Sequence, residues 1–522
     1  FKEICGLQFG VHIFFSYINN IKLNTNMNKH VVIIGAGVAG VNAATKLVDN
    51  NFDGKITIID MGKDPYLRPY EEVMTGFLGA GGWSDGKLTY STQIGGQLSK
   101  YVGEDKAMEL MKQVVDNFSR FHPHPEQIIL SNPTEEPEFI KPYFGLRLFP
   151  VWHIGTDYLH EIGKSWYDYL VNKGVKFIWE TKVTSINFDD QKVFIEKEGS
   201  YRSYDTLIFG VGKSGIDFTS DIMEQYDLPT EEKPAQIGVR FEAPQKHFQK
   251  LIDIAYDFKL YRKDDKVSLR SFCTNNNAAY VAVEDTYGNH SYNGHAKKDE
   301  AFRNDMTNFG ILMEIKGIKE PFKWARKVVS ELQSKGTGLF YSPTRKQSTT
   351  SEGVEVSSTK IEALEQISKA MSPYFHYIYN FIEDMKEIFP TLKDDWGIYV
   401  PEVKYLAPEP LVNYEDLSLT KYPDVHFVGD ALSARGISVS GAHGTLVAEQ
   451  ILSMNDAINN FLNDPVNNKE PHEMGDMHEY IQGGLTMPKE DRKQYLKNEI
   501  HNKRSDGYMI KGMEEELKKL EK

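Results

Sequence analysis

The stretch VVIIGAGVAG, Val31 to Gly40, decides how this chain is read. Four apolar residues run straight into Gly35, Gly37 and Gly40, and a helix-forming segment, Val41 to Val48, follows. Strand, tight turn and helix in that order make a phosphate-cradling loop. The first glycine permits the turn, the second lets backbone approach a pyrophosphate, and the third lets helix and strand pack closely. Phosphate charge would rest on the helix N-terminus, where amide donors and the dipole favour an anion. A second apolar run, Lys55 to Ile59, ends at Asp60, where a ribose-binding carboxylate is expected. A glycine-rich turn with Asp60 as an ordinary strand-end residue would fit the triplet alone. The ordered setting predicts a dinucleotide site.

The chain has 522 residues and a formal net charge of -14. That length suggests two to four domains and ample material for a buried core. The acidic balance, with no basic patch, argues against nucleic acid as a partner. Cys5 and Cys273 are the only cysteines. With no C-x-x-C pair and no disulfide framework, a reducing, cytoplasmic setting is expected. Phe1 opens the sequence and Met27 stands directly before the first strand, so residues 1–26 read as a leader, disordered or not native. The apolar run from Ile4 to Ile18 is broken by Gln8 and His12 and is too short to span a bilayer, so no stable membrane insertion is expected. A short membrane-surface anchor is the alternative.

Downstream of Asp60, the segment TGFLGAGGWSDGKLTYSTQIGG, Thr75 to Gly96, is dense in glycine, which places backbone where side chains cannot fit. Its Phe77, Leu78, Trp83 and Leu88 argue against a flexible surface loop and for a ligand lying against it. Residues 104–121 show helical spacing, with Met108, Leu110, Met111, Val114, Val115 and Phe118 as the core stripe. His122 and His124 stand two apart but have no nearby cysteine or acidic cluster, so no metal site is expected. A helix from Thr156 to Asn172 is closed by Gly174, and strands follow at Val175 to Trp179 and Tyr204 to Gly212. GVGKSG invites a P-loop reading that fails, because Leu207 occupies the required first glycine position.

From residue 235 to 394 apolar and polar residues alternate, predicting a mostly antiparallel sheet covered by one long helix, Ile361 to Ile388. Then DVHFVGDALSARGISVSGAHGTLVAEQIL, Asp424 to Leu452, returns to strand, Gly429-Asp430, loop and helix. The expected fold class is therefore α/β: a Rossmann-like domain from 27–234 and 395–459, an inserted antiparallel substrate domain at 235–394, and a charged helical tail at 460–522. Solvated helices account for the tail; a docking arm for a partner or a second subunit, making a homo-oligomer, is the alternative.

The pairing of the N-terminal fingerprint with the C-terminal strand-GD-loop-helix resembles flavoproteins with the glutathione-reductase-like FAD-binding fold, from Met27 to about Met454. More narrowly, GGWSDGKLT, WHIGTDYL, QIGVRFE and HFVGDALSARGISVSGAHG look like a bacterial family of uncharacterised FAD-dependent dehydrogenases. The resemblance implies non-covalent FAD. Gly35, Ala36, Gly37, Ala39 and Gly40 would then cradle its pyrophosphate, and Asp60 would take the adenosine ribose. Val183 would present backbone to the adenine, while Gly210 and Gly212 would cover the cofactor. Gly429 would belong to the closing turn, Asp430 would hydrogen-bond the ribityl chain, and Gly441 and Ala442 would lie near the flavin pyrimidine edge. Gly82 and Lys87 would contribute from the glycine-rich segment.

A flavin supplies the chemistry, and protein groups position substrate and tune the ring. Lys87, Arg435 and His443 are the candidate catalytic residues: Lys87 as a cation favouring the anionic reduced ring, His443 as an acid or base near neutral pH. Trp83 and Asp85 are expected nearby. The plain alternatives are a phosphate or surface lysine and a first-turn histidine bonded to its loop; Cys273 reads as simply buried, with a thiol acting on substrate as its alternative. One fingerprint means no dedicated NADPH domain, so either the small-molecule substrate reduces FAD or NAD(P)H docks transiently. The expected function is hydride transfer between a small organic substrate and flavin. The alternative is a flavin-binding RNA-modification or complex-forming protein docking through its tail.

Overall fold

The computed structural model describes residues 29–463 apart from 129, 134–136, 232, 235, 287–288, 298–299, 333–337, 346–355, 358–359 and 405–407. The leader at 1–26 and almost all of the tail at 460–522 lie outside the described residues. The chain divides into two compact units, 1–452 and 453–522, and only residues 453–463 of the second are described. They continue the last helix, Ile437–Asn463.

The opening stretch forms the central strand, Lys29–Ile34, of a five-stranded parallel sheet. Its neighbours are Gly54–Ile59 on one side and Thr206–Phe209 on the other, with Lys176–Ile178 and Val425–Phe427 at the two edges. A parallel sheet is covered on both faces, which is why VVII, TLIF and VHF read as continuous apolar or nearly apolar runs. Ile33 stands between Ile58 and Ile208, all three fully buried. The strand order reverses between Lys29–Ile34 and Thr206–Phe209, and such a switch point, at the carboxyl ends of the strands, is where open α/β sheets hold ligands.

The helix expected at 104–121 is Glu104–Phe121, with Leu110, Met111, Val114, Val115 and Phe118 buried. Leu159–Asn172 ends at a left-handed Gly174 (φ +88°), which lets Val175 N–H reach back to Leu170 O at 3.0 Å. The small sheet of Val183–Asn187, Lys192–Ile195 and Ser200–Ser203 leads back into the parallel sheet.

The alternating region folds into an eight-stranded, largely antiparallel sheet. Its strand order is Val356–Ser357, Gly338–Tyr341, Gly397–Lys404, Gln236–Pro244, Met306–Ile315, Val267–Asn275, Phe258–Lys263 and Gly145–Leu148. The first and last chain segments of this sheet thus come from outside 235–394. Ala279–Thr286 and Asn289–Ala296 form a separate hairpin. The expected single long helix is two, Lys360–Ala370 and Phe375–Ile388, because Pro373 has no N–H to continue the ladder and its ring crowds the preceding turn. Phe375–Ile388 buries Ile378, Phe381, Ile382 and Met385, and the Phe381 ring lies 4.6 Å from that of Phe144.

Candidate functional site

A cavity of about 530 Å³ opens at the switch point. Three parts of the chain line it. The strand ends of the parallel sheet and the turns and helix that follow them supply Ile34, Gly35, Gly37, Ala39, Asp60, Gly210 and Gly212, with Val183 from the small antiparallel sheet; the closing segment supplies Gly429, Asp430, Arg435, Ile437 and Ser440. The third part is Ser84 and Asp85 with Phe272, Cys273, Asn293 and Lys404. Cofactor-type backbone and chemistry-bearing side chains therefore share one space.

The three fingerprint glycines do separate jobs. Gly35 is left-handed (φ +101°), and a Cβ there would sit 2.4 Å from Gly210 O. At Gly40 a Cβ would sit 2.3 Å from Gly35 O, so this glycine closes the helix onto the turn. At Gly37 a Cβ would meet nothing within 4 Å, because that face looks into the cavity. The helix Val38–Asp49 begins there with no side-chain cap and no acidic residue in its first turn. Its first amides have no intrahelical acceptor, so they and the positive end of the dipole suit an anion. A second helix N-terminus, at Ile437, also lines the cavity and also lacks an acid in its first turn.

Asp60 lines the cavity, yet its carboxylate is occupied by backbone. Oδ1 accepts the N–H of Gly62 at 2.7 Å and of Gly76 at 2.9 Å, and Oδ2 accepts that of Ala36 at 2.8 Å. Burial pushes its carboxyl upward against these three bonds. Asp60 thus ties the turn at Ala36 to the glycine-rich segment as well as lining the cavity. Asp430 Oδ1 pairs with Arg435 Nε at 2.6 Å, and Arg435 N–H donates to Gly95 O at 2.6 Å, strapping the closing loop to the glycine-rich segment.

Lys87 is buried behind the lining. Its Nζ donates to Cys273 Sγ at 2.8 Å, Thr274 O at 3.0 Å and Asn275 Oδ1 at 3.0 Å, and lies 3.7 Å from Asp85 Oδ1. Burial opposes its charge, but its neighbours Cys273, Asp85 and Asp257 outweigh it and hold the ammonium above its ordinary range. Lys87 therefore reaches the cavity through Cys273. The link spans 186 positions, a separation that no local spacing in the sequence reveals.

Other expected residues stand back from the lining. Ala36 serves through its amide, Gly40 and Gly82 pack locally, and Gly441 lies against Val114 with Ala442 buried beside it. Trp83 is a packing residue: its ring stacks on His160 at 3.8 Å, and the Arg68 guanidinium lies 4.3 Å from its ring centroid. His443 is fully buried, neither ring nitrogen has a hydrogen-bond partner among the described residues, and burial pushes its pKa down to about 3. His122 accepts from His124 N–H at 2.8 Å and contacts Ile154 O at 3.1 Å. Among the described residues no group of three metal-type ligands is found, and no helix is long and apolar enough to cross a membrane.

No protein-family model and no curated protein matches this chain. Among solved structures it is similar to a flavoprotein/dehydrogenase from Cytophaga hutchinsonii, at 13% identity over 81% of this chain and 79% of that one, TM-score 0.37. L-proline dehydrogenase from P. horikoshii is similar at 12% identity over 82% and 94% of the two chains, TM-score 0.37. A mutant of the halogenase PltM, in complex with FAD, is similar at 12% identity over 83% and 69%, TM-score 0.40. At these scores the likenesses carry no argument about the site. The chain's own strands and helices define an α/β protein with a Rossmann-like parallel sheet and a large antiparallel sheet.

Proposed function

We propose that the protein is an FAD-dependent oxidoreductase that holds flavin non-covalently in this cavity and passes a hydride between it and a small organic substrate. The observation that carries this reading is the shared cavity: the dinucleotide turn, the Gly429-Asp430 turn and a charged wall from the antiparallel sheet all line it. A dinucleotide held only at its adenosine end would need the first of these alone. Bound FAD would supply the electron-accepting ring. The amides opening Val38–Asp49 would neutralise the pyrophosphate, and Val183 would offer backbone to the adenine. Asp430, oriented by Arg435, would bind the polyol. The N-terminus at Ile437 would stabilise negative charge on a reduced ring. Asp85 and Lys404 would orient substrate, while His443, walled off and neutral, supports packing rather than proton transfer.

Purified protein should be yellow and release FAD on denaturation. Asp430→Ala should lower flavin occupancy in protein that remains folded; unchanged occupancy would overturn the placement of Asp430. Anaerobic bleaching against NADH, NADPH and a metabolite panel then separates a reductase from a substrate dehydrogenase.

A further inference from the structure

Two neighbouring cross-strand rows of the eight-stranded sheet have opposite character. Val403, Ile237, Met313 and Leu269 stand opposite one another and are all buried. The next row is Lys404, Gln236, Glu314 and Ser268. Successive residues of a strand point to opposite faces, so this polar row, with Arg270 and Phe272 further along Val267–Asn275, makes the other face of the sheet. Phe272 and Lys404 of that face line the cavity.

The wall they form is rich in cations. Lys404 Nζ lies 4.3 Å from the Phe272 ring centroid, Lys259 Nζ 5.0 Å and the Arg270 guanidinium 5.6 Å. Lys87 stands behind, on Cys273 and Thr274. Lys259 is paired with Asp257 at 3.1 Å and Lys87 with Asp85 at 3.7 Å. Arg270 donates to Gln236 Oε1 at 2.7 Å and feels the charge of Glu314, which accepts from Gln236 Nε2 at 3.1 Å. Arg240 and Glu402, paired at 3.1 Å, cancel. Over these residues Lys87, Lys259, Arg270 and Lys404 face Asp85, Asp257 and Glu314, four cations to three carboxylates, which leaves one positive charge in surplus. Of the four cations, Lys404 is the one that lines the cavity. Asp85, the acid on the same lining, shares its charge with Lys87, and burial pushes its carboxyl upward, towards the neutral form. An ammonium set over an aromatic ring offers an anion a charge-assisted donor and its carbon skeleton an apolar surface.

We propose that the small organic substrate carries a carboxylate, which the Lys404 ammonium binds at the Phe272 wall of the cavity. The proposal rests on the flavin reading for the reaction; the anion site itself stands on the wall alone.

The test titrates benzoate, benzamide and benzylamine, which share a ring and differ in charge, into the full-length protein by calorimetry at neutral pH, with FAD content measured in every sample. Benzoate should bind about tenfold or more tightly than either of the others, as a charge-assisted hydrogen bond in a partly enclosed site allows. Lys404→Met should bring benzoate to within about threefold of benzamide, and Lys404→Arg, which keeps the cation, should retain most of the preference. Lys404→Gln takes the place of Lys404→Met if the latter does not fold. Benzoate that fails to bind, or binds no tighter than benzamide or benzylamine, would overturn the proposal, as would an undiminished preference in the folded variant lacking the cation. FAD-free protein that shows the preference counts against the cofactor reading alone, and FAD-loaded protein that lacks it counts against the carboxylate alone.

Discussion

At Gly37 a single hydrogen faces the cavity, whereas at Gly40 it faces backbone 2.3 Å away from where a Cβ would stand. The two positions therefore predict opposite phenotypes. Gly37→Val should fold with little change in thermal midpoint and lose flavin, because its φ of -67° suits any residue and its side chain would fill ligand space. Gly40→Val should lose stability through overpacking, by about 1–3 kcal/mol or more. Thermal melts paired with flavin absorbance separate the two. His443 gives a pH prediction. Its folded pKa of about 3 lies below the unfolded value, so below about pH 6.5 the unfolded chain binds a proton that the folded chain refuses. Wild-type stability should fall relative to His443→Leu as pH drops from about 6.5 towards 3, by at most about 1.4 kcal/mol per unit. Parallel denaturation curves for wild type and variant across that range would contradict it. The turn at Gly35 and the close packing at Gly40 were legible because spacing in a turn is local geometry. Asp60's three amide bonds were not, since they depend on where Gly62 and Gly76 come to rest.

Among the elements, the parallel strands announced themselves through burial on both faces, and Glu104–Phe121 through its apolar stripe. Lys360–Ala370 and Phe375–Ile388 were read as one helix although Pro373 stood in plain view; apolar periodicity continued across the break and outweighed it. Gly145–Leu148 was missed as an edge strand because four residues carry too little alternation to register. The irregular pairing of Val267–Asn275 with Met306–Ile315 around Cys273 was invisible for a different reason: Arg240 and Lys87, which hold this stretch, come from distant parts of the chain. Arg240 is the brace to test. Arg240→Met leaves Glu402 buried without its cation and should cost about 3–5 kcal/mol, while Arg240→Met with Glu402→Gln should recover a substantial part. Urea denaturation of the two variants measures the difference; equal losses would show that the ion pair does not hold this sheet.

Across the described residues, the two sheets meet the same cavity, and this brings the Gly35–Gly40 turn and Cys273, with Lys87 behind it, to one place. A ligand bound by folded protein alone raises stability by mass action, about 2.7 kcal/mol at a concentration a hundred times Kd. Added FAD should accordingly raise the thermal midpoint of flavin-stripped protein, and Asp430→Ala should blunt that rise. The most direct test of the central claim is the identity and stoichiometry of the cofactor released from purified wild-type protein by denaturation. One equivalent of FAD per chain is the predicted result. Colourless protein that takes up no FAD on reconstitution would contradict it.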